Sequence, residues 1–414
     1  MRKVVIITYA TYSHHTGILP IIKSLLSRNI KVYVFGRLEY EYLYKDINIE
    51  FIPYIDDEKQ YKINNRLYEE KNNCTKNLIE NNTQEGIVEY LVDSLKTDVD
   101  LEIENYKDSI NKIREINPEL IIKDACCFHG SIIGKKLGIR TIGYVCNLAY
   151  TKELLLSNPK KYLSDALKMD LNKYNEVSLT NIYEEVEKSI NRYYEDENLP
   201  KINLMFTTES DEKDILVFSS NNFHPKLVND SYKIIRYDLF NKNNISLNKS
   251  NTIYISAGTV TTNNIYFYYY MIEAFKNSKY NIIISAINAE QLIGNLDLPS
   301  NISIEKFVDQ KKILSEAVLF ISHGGYNGIC EAIYYEVPLM IYPLIADNYF
   351  NASLVNDLGI GIDLRKIKFN AENIYKLASY IINNDDIKNN LKILKEDFFN
   401  TKSLDSIIDE VIDD

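Results

Sequence analysis

VLFISHGGYNGICEAIYYEVPLMIYPLIADN, residues 318–348, passes from an apolar run that ends at His323, through a glycine pair, into a helix-forming segment, and then into a second short apolar run. That order reads as strand, tight turn, helix and strand, the repeating unit of a doubly wound parallel sheet. Gly324, Gly325 and Gly328 let backbone amides approach a ligand closely, and the start of a helix offers unpaired N–H groups with partial positive charge. The turn is therefore a candidate phosphate cradle, with a packing turn as the plainer reading. Glu331, about one turn into the helix, is placed to accept hydrogen bonds from ribose hydroxyls. Asp347 and Asn348 follow the next strand, at the carboxyl edge where open α/β sheets bind ligands.

Outward from this stretch the same alternation recurs. VVIIT (Val4–Thr8), a polar loop through Gly17, an apolar-periodic segment from Ile18 to Leu26 and KVYVF (Lys31–Phe35) predict a βαβ opening. ELIIKD ends at Asp124, a helix is expected near Ser131–Leu137, and RTIGYV follows. The charged, Asn-rich tract from about Asp56 to Lys112 and the polar tract Thr151–Asn198 read as helical insertions around a cleft. NKNNISLNKSN (Asn241–Asn251) lacks periodicity and is the best linker candidate. The expected organisation is α/β: two Rossmann-like domains, 1–240 and 241–414, facing across a cleft, with the last helix packing back on the first domain.

The 414 residues, 45% of them hydrophobic, suffice for two cores. A net charge of -11 argues against nucleic acid and against an anionic membrane surface. No apolar run approaches the roughly 18 residues needed to span a bilayer. Five cysteines with no CxxC pair and no evident His/Cys cluster suit reduced thiols in a cytoplasm, with no metal expected.

With these motifs in place, the sequence resembles the family 1 nucleotide-sugar-dependent glycosyltransferases of the GT-B type. The likeness is densest in FVDQKKILSEAVLFISHGGYNGICEAIYYEVPLMIYPLIADN, from Phe307 to Asn348. It implies that Val308 and Gln310 lie at the nucleoside, His323, Gly324, Gly325, Asn327 and Gly328 at the diphosphate, Glu331 on the ribose, and Asp347 and Asn348 at the transferred sugar. Gly258 and Thr259 match a further phosphate-contacting position. Ser13-His14 falls at the family's Gly-His position, which makes His14 the acceptor base and Asp124 the carboxylate that orients it. His15 is then the neighbour to exclude.

The sequence departs from the family at Asp309 (usually Pro), Gly328 (usually Ser or Thr), Glu336 (usually Gly) and Asn348 (usually Gln). The resemblance implies an inverting, metal-independent transfer from a UDP-sugar co-substrate, glucose by default, to a small acceptor hydroxyl. A sugar-nucleotide epimerase and a non-catalytic binder of the same shape are the alternatives. Asp98-Val99-Asp100 spells the metal-binding DxD of the other transferase architecture, but it follows no strand and reads as a solvated charge run. YFYYY (Tyr266–Tyr270) should divide between core and surface on a helix. His129 and His224 lack metal-ligand spacing.

Overall fold

In the computed structural model, the described residues are 1–9, 11–54, 83–167, 171, 173–196, 199, 212–225, 230–241, 247–258, 265–286, 298–344 and 347–413. Their strands form two wholly parallel sheets. The first contains β1 (Lys3–Ile7), β2 (Lys31–Gly36), β3 (Glu50–Pro53), β4 (Leu120–Asp124), β5 (Arg140–Val145), β6 (Ile215–Ser219) and β7 (Tyr232–Arg236), in the order β3-β2-β1-β4-β5-β6-β7. The second contains β8 (Thr252–Ser256), β9 (Asn281–Ser285), β10 (Ile302–Glu305), β11 (Ala317–Ser322), β12 (Leu339–Ile341) and β13 (Gly361–Asp363), in the order β10-β9-β8-β11-β12-β13. The central strands are continuous apolar runs because helices cover both of their faces, and every residue of β4, β6 and β8 is buried.

Strand order determines where a ligand can sit. In the first sheet the chain moves outward from β1 through β2 to β3, then returns to the other side of β1 with β4 and continues to β7. The second sheet does the same about β8 and β11. Each reversal opens a crevice beyond the carboxyl ends of the two central strands. Ile7 pairs with Lys123 and Ser256 with Ser322, so the residues that leave β1 with β4, and β8 with β11, emerge side by side.

The described part of the tract expected as a helical insertion is helix. Residues 55–82 lie outside the described set, but Gln84–Ile116 is one 33-residue helix. It starts at Thr83, whose side chain accepts from Gly86 N, and stops at Asn117 in the left-handed region. Asp98-Val99-Asp100 lies within it and is not simply solvated: Val99 is buried and Asp100 accepts from the Tyr193 hydroxyl at 2.5 Å. On the helix Ile265–Phe275, Phe267 and Tyr268 are buried while Tyr266 and Tyr269 are exposed, the expected division.

After the helix Asp385–Asn400 the chain returns to the first sheet. Leu404, Ile407, Ile408, Val411 and Ile412 join Ile21, Ile22 and Leu25 in one apolar cluster. Arg28 pairs with Asp405 and Asp409, and Arg2 with Asp413. At this return Phe398 is wholly buried, stacks on Phe240 at 4.3 Å and lies 5.6 Å from Phe223. Phe398→Ala should therefore remove about 3–5 kcal/mol of stability, measured as a lower midpoint in denaturant titration of the whole chain.

Candidate active site

The second sheet's crevice is shaped by glycine. After β11 the chain turns at Gly324 (φ +91°), where a Cβ would lie 2.7 Å from Ile341 Cγ2, and then enters the helix Tyr326–Tyr334. Gly258, after β8, has φ +78°, and a Cβ there would come within 2.5 Å of the His323 ring. A Cβ on Gly325 would meet His323 Nε2 at 2.8 Å. The imidazole is thus seated against two glycine backbones, next to the open end of a helix. Gly328 is different: a Cβ would find only ordinary contact with Phe320 at 3.4 Å, so the family's Ser or Thr would fit there. Thr259 lies outside the described residues.

His323 Nδ1 is buried without a hydrogen bond of normal geometry among the described residues, and burial pushes its pKa down to about 4. The ring is therefore neutral near pH 7, and any help to a phosphate comes from an N–H donor rather than a positive charge. At the end expected to meet the nucleoside, Gln310 Nε2 donates to Glu331 Oε2 at 2.5 Å, and the Tyr254 hydroxyl donates to Gln310 Oε1 at 3.1 Å. Burial raises the Glu331 pKa, opposed first by the Gln310 hydrogen bond. Val308 packs half-buried nearby against the core. The Tyr237 hydroxyl donates to Asn327 Oδ1 at 3.0 Å, tying the end of the first sheet to the first turn of the cradle helix.

At the first sheet's crevice, the segment expected to be a loop is the short helix Tyr12–Gly17, closed by His14 and His15 amides donating to Thr11 O. It carries His14 toward β4. His14 Nδ1 lies 2.6 Å from Asp124 Oδ2, and the other Asp124 oxygen accepts from Cys126 N at 2.9 Å. The carboxylate side chain is 2% exposed and the imidazole 13%. For His14, burial favours the neutral form, but Asp124, supported by Cys146, outweighs it and lifts the pKa well above 6.5. Asp124 is driven upward by burial, yet the His14 charge and hydrogen bonds hold it below its usual value. With Nδ1 facing the carboxylate, Nε2 is the nitrogen left to exchange a proton. His15 is fully buried, bonds the Tyr44 hydroxyl at 2.8 Å and is driven to a pKa of about 3, which suits a neutral core residue.

The two crevices face each other. Burial raises the Asp347 pKa and His14 opposes that rise electrostatically, while Asp347 adds to the burial that raises the pKa of Cys146 beside His14. Asn348 is 3% exposed, its side chain bonds Asp347 Oδ1 at 3.4 Å, and its carbonyl lies under Gly324. Three contributors were missed from sequence. Cys146 flanks the His14 ring; Asn351 donates to Asp347 Oδ2 at 3.1 Å; and Tyr150 donates to Asn351 Oδ1 at 3.3 Å. Asn351 had a usable signal, since it stands four residues after Asp347 on a helix. Tyr150 and Cys146 had none.

The absence of an evident His/Cys cluster in the sequence does not carry over to three dimensions. His14, Asp124 and Cys126 bring ligand atoms within 4.8 Å of one another, as do Glu102, Cys127 and His129. In the second group His129 is already satisfied, with Nδ1 2.8 Å from Glu102 Oε2 and Nε2 3.1 Å from the Tyr54 hydroxyl. His224 accepts from Ala149 N at 2.8 Å. No helix among the described residues is long and apolar enough to cross a membrane.

Residues 273–413 match the family model described as the erythromycin biosynthesis protein CIII-like C-terminal domain. The chain is 23% identical to YojK of Bacillus subtilis, described as an uncharacterized UDP-glucosyltransferase, over 99% of its own length and 98% of the relative's. It is 26% identical to the NDP-glycosyltransferase YjiC of the same organism over 69% of each. Among solved structures, the calicheamicin glycosyltransferase CalG4 superposes with TM-score 0.70 at 15% identity, covering 99% of this chain and 97% of that one. The glycosyltransferase VinC, solved with DTDP, gives 0.68 at 14%, covering 99% and 98%. Two facing parallel-sheet domains, each with its crevice at the reversal of strand order, are the GT-B architecture, and these matches make the chain a glycosyltransferase. Its C-terminal match and its full-length relative are similar to the family 1 sugar transferases.

Three depressed histidines make stability sensitive to mild acid. His15, His224 and His323 titrate at about 3, 4 and 4 when folded, against about 6.5 unfolded. Their stabilisation is complete above pH 6.5 and is lost as pH falls toward their folded values, because the unfolded chain then binds protons that the folded one refuses. His14, with its pKa raised, works in the opposite direction. Between pH 7 and 5.5 each depressed histidine should cost about 1 kcal/mol, and denaturant midpoints should fall. His224→Asn, compared with wild type at both values, should show a shallower fall.

Proposed function

We propose that the chain transfers a hexose, glucose by default, from a UDP-sugar to a hydroxyl of a small lipophilic acceptor, with inversion and without a metal. Residues 1–240 hold the acceptor and 241–414 the donor. The observation that carries this reading is the His14–Asp124 pair at one crevice, in electrostatic contact with Asp347 at the other. The Bacillus relative YojK, named as a UDP-glucosyltransferase, favours UDP and glucose. Acidic charge and the four cysteines among the described residues, all free, fit a reducing cytoplasm and a small-molecule partner, with no nucleic acid involved.

In the proposed step His14 Nε2 takes the acceptor proton, the acceptor oxygen bonds to the anomeric carbon, and the bond from that carbon to the phosphate oxygen breaks from the opposite face. UDP leaves with the electron pair. Asp124 holds the His14 tautomer and balances the imidazolium as it forms. Asp347 accepts hydrogen bonds from sugar hydroxyls, with Asn348 behind it. Glu331 and Gln310, now bonded to each other, turn to the ribose and base. The amides after Gly324 and the neutral His323 ring meet the charge that gathers on the departing phosphate, which removes the need for a divalent ion.

His14→Ala should lower acceptor-dependent UDP release by about 10²–10⁴-fold while UDP affinity, titrated calorimetrically, stays near wild type. Because Asp124 raises the His14 pKa, the rate should rise with pH to a plateau reached above 6.5. Asp124→Asn should move that limb to lower pH and also lower the plateau. A limb that does not move would remove Asp124 from its role.

Turnover should persist in excess chelator. Complete loss, restored by Mg²⁺ or Mn²⁺, would overturn the metal-free step; UDP release unaffected by acceptor would indicate hydrolysis, and conversion of one UDP-sugar to another without UDP release would favour the epimerase.

A further inference from the structure

We infer that Asn351 is a positioning residue that sets the sugar carboxylate and the diphosphate turn together, and that Tyr150 of the first domain holds it in that orientation. The inference rests on the glycosyl-transfer reading above. Asn351 is 1% exposed. Its amide nitrogen donates to Gly324 O at 2.8 Å and to Asp347 Oδ2 at 3.1 Å, and its carbonyl accepts from the Tyr150 hydroxyl at 3.3 Å.

These three contacts leave the amide one orientation. Turned over, its oxygen would face the Gly324 carbonyl and the Asp347 carboxylate, two acceptors, while its N–H groups would face the hydroxyl. The orientation matters because of what it holds. The Gly324 carbonyl belongs to the peptide whose N–H is that of Gly325, the first amide of the cradle, so fixing one end of that peptide aims the other. Gly324 sits at φ +91°, a conformation in which glycine has no side chain to hold it in place. Asp347 is pushed toward neutrality by burial, and the Asn351 hydrogen bond is the largest opposing influence. A single amide therefore aligns the diphosphate donor and hydrogen-bonds the carboxylate offered to the sugar.

Tyr150 lies just beyond β5 on the first domain, and its ring packs on Phe350 at 4.1 Å. Its hydroxyl reaches Asn351 only while the two domains are docked. Docking thus biases the amide toward the orientation that binds the sugar, and donor recognition becomes dependent on the acceptor domain.

The test compares Tyr150→Phe, Asn351→Ala, Asn351→Asp and the double variant Tyr150→Phe/Asn351→Ala in the full chain. UDP and UDP-glucose affinities come from calorimetry, KM and kcat from coupled UDP release, and folding from thermal unfolding. Tyr150→Phe should weaken UDP-glucose about two- to tenfold, the range of one lost hydrogen bond, and leave UDP within twofold. Asn351→Ala should weaken both ligands, UDP-glucose more. Asn351→Asp, which places acceptor against acceptor, should be worse than alanine. In the alanine background Tyr150→Phe should add nothing.

Additive effects of the two single changes, or equal losses for UDP and UDP-glucose in Tyr150→Phe, would overturn the inference while leaving transfer intact. A wild type that binds neither ligand would overturn both. If Asn351→Ala fails to fold, Tyr150→Phe, which removes one oxygen, decides alone by the ratio of its two affinities.

Discussion

Holding an imidazole 2.6 Å from a carboxylate that is almost sealed from water is costly unless each stabilises the other's charge, and His14 with Asp124 meets that condition. Much of the first domain's geometry serves it. β1 and β4 must be adjacent and parallel, so that one delivers the helix carrying His14 and the other ends on Asp124. The Cys126 amide completes the carboxylate's hydrogen bonds, and the buried runs of both strands keep the register from slipping. A site of this kind is a constraint on strand order before it is a feature of any one residue.

The second domain reaches a comparable end by different means. Its crevice is built from glycines whose missing side chains make room for an imidazole, and that imidazole is kept neutral by burial. One domain thus presents a histidine with a raised pKa and the other a histidine with a lowered one. The difference follows from what offsets burial: Asp124 and Cys146 outweigh it in the first case, and a backbone hydrogen bond does not in the second.

Much of this was legible in the sequence because period and punctuation are local properties. Apolar runs, glycine pairs and strand-end Asp or His located both crevices, and the family resemblance supplied most of the candidate residues in them. The polar tract after Asp56 was less readable, since the helix Gln84–Ile116 draws its order from packing onto neighbouring helices rather than from a strong periodicity of its own. The helical state of Tyr12–Gly17 was hidden too, because its sequence has neither a capping side-chain bond nor an apolar stripe. Tyr150 and Cys146 were invisible because their relevance comes from a chain separated by many residues. Glu336 shows the reverse case, a departure from the family that the structure explains: it adopts φ +54°, where glycine would be unstrained, and Lys395 donates to its carboxylate at 2.6 Å.

The chain passes between the domains twice, once between β7 and β8 and again when the segment after Asn400 returns to lie beside Ile21 and Leu25. Two bodies joined by one strand of polypeptide can swivel in any direction, but two joined at separate points are restrained like a door on a pair of hinges. Arg236, at the end of β7, donates from its backbone to Lys402 O and from its guanidinium to Phe399 O, so both crossings are pinned to each other. Bending about that pinned edge is the motion between the domains that these bonds resist least.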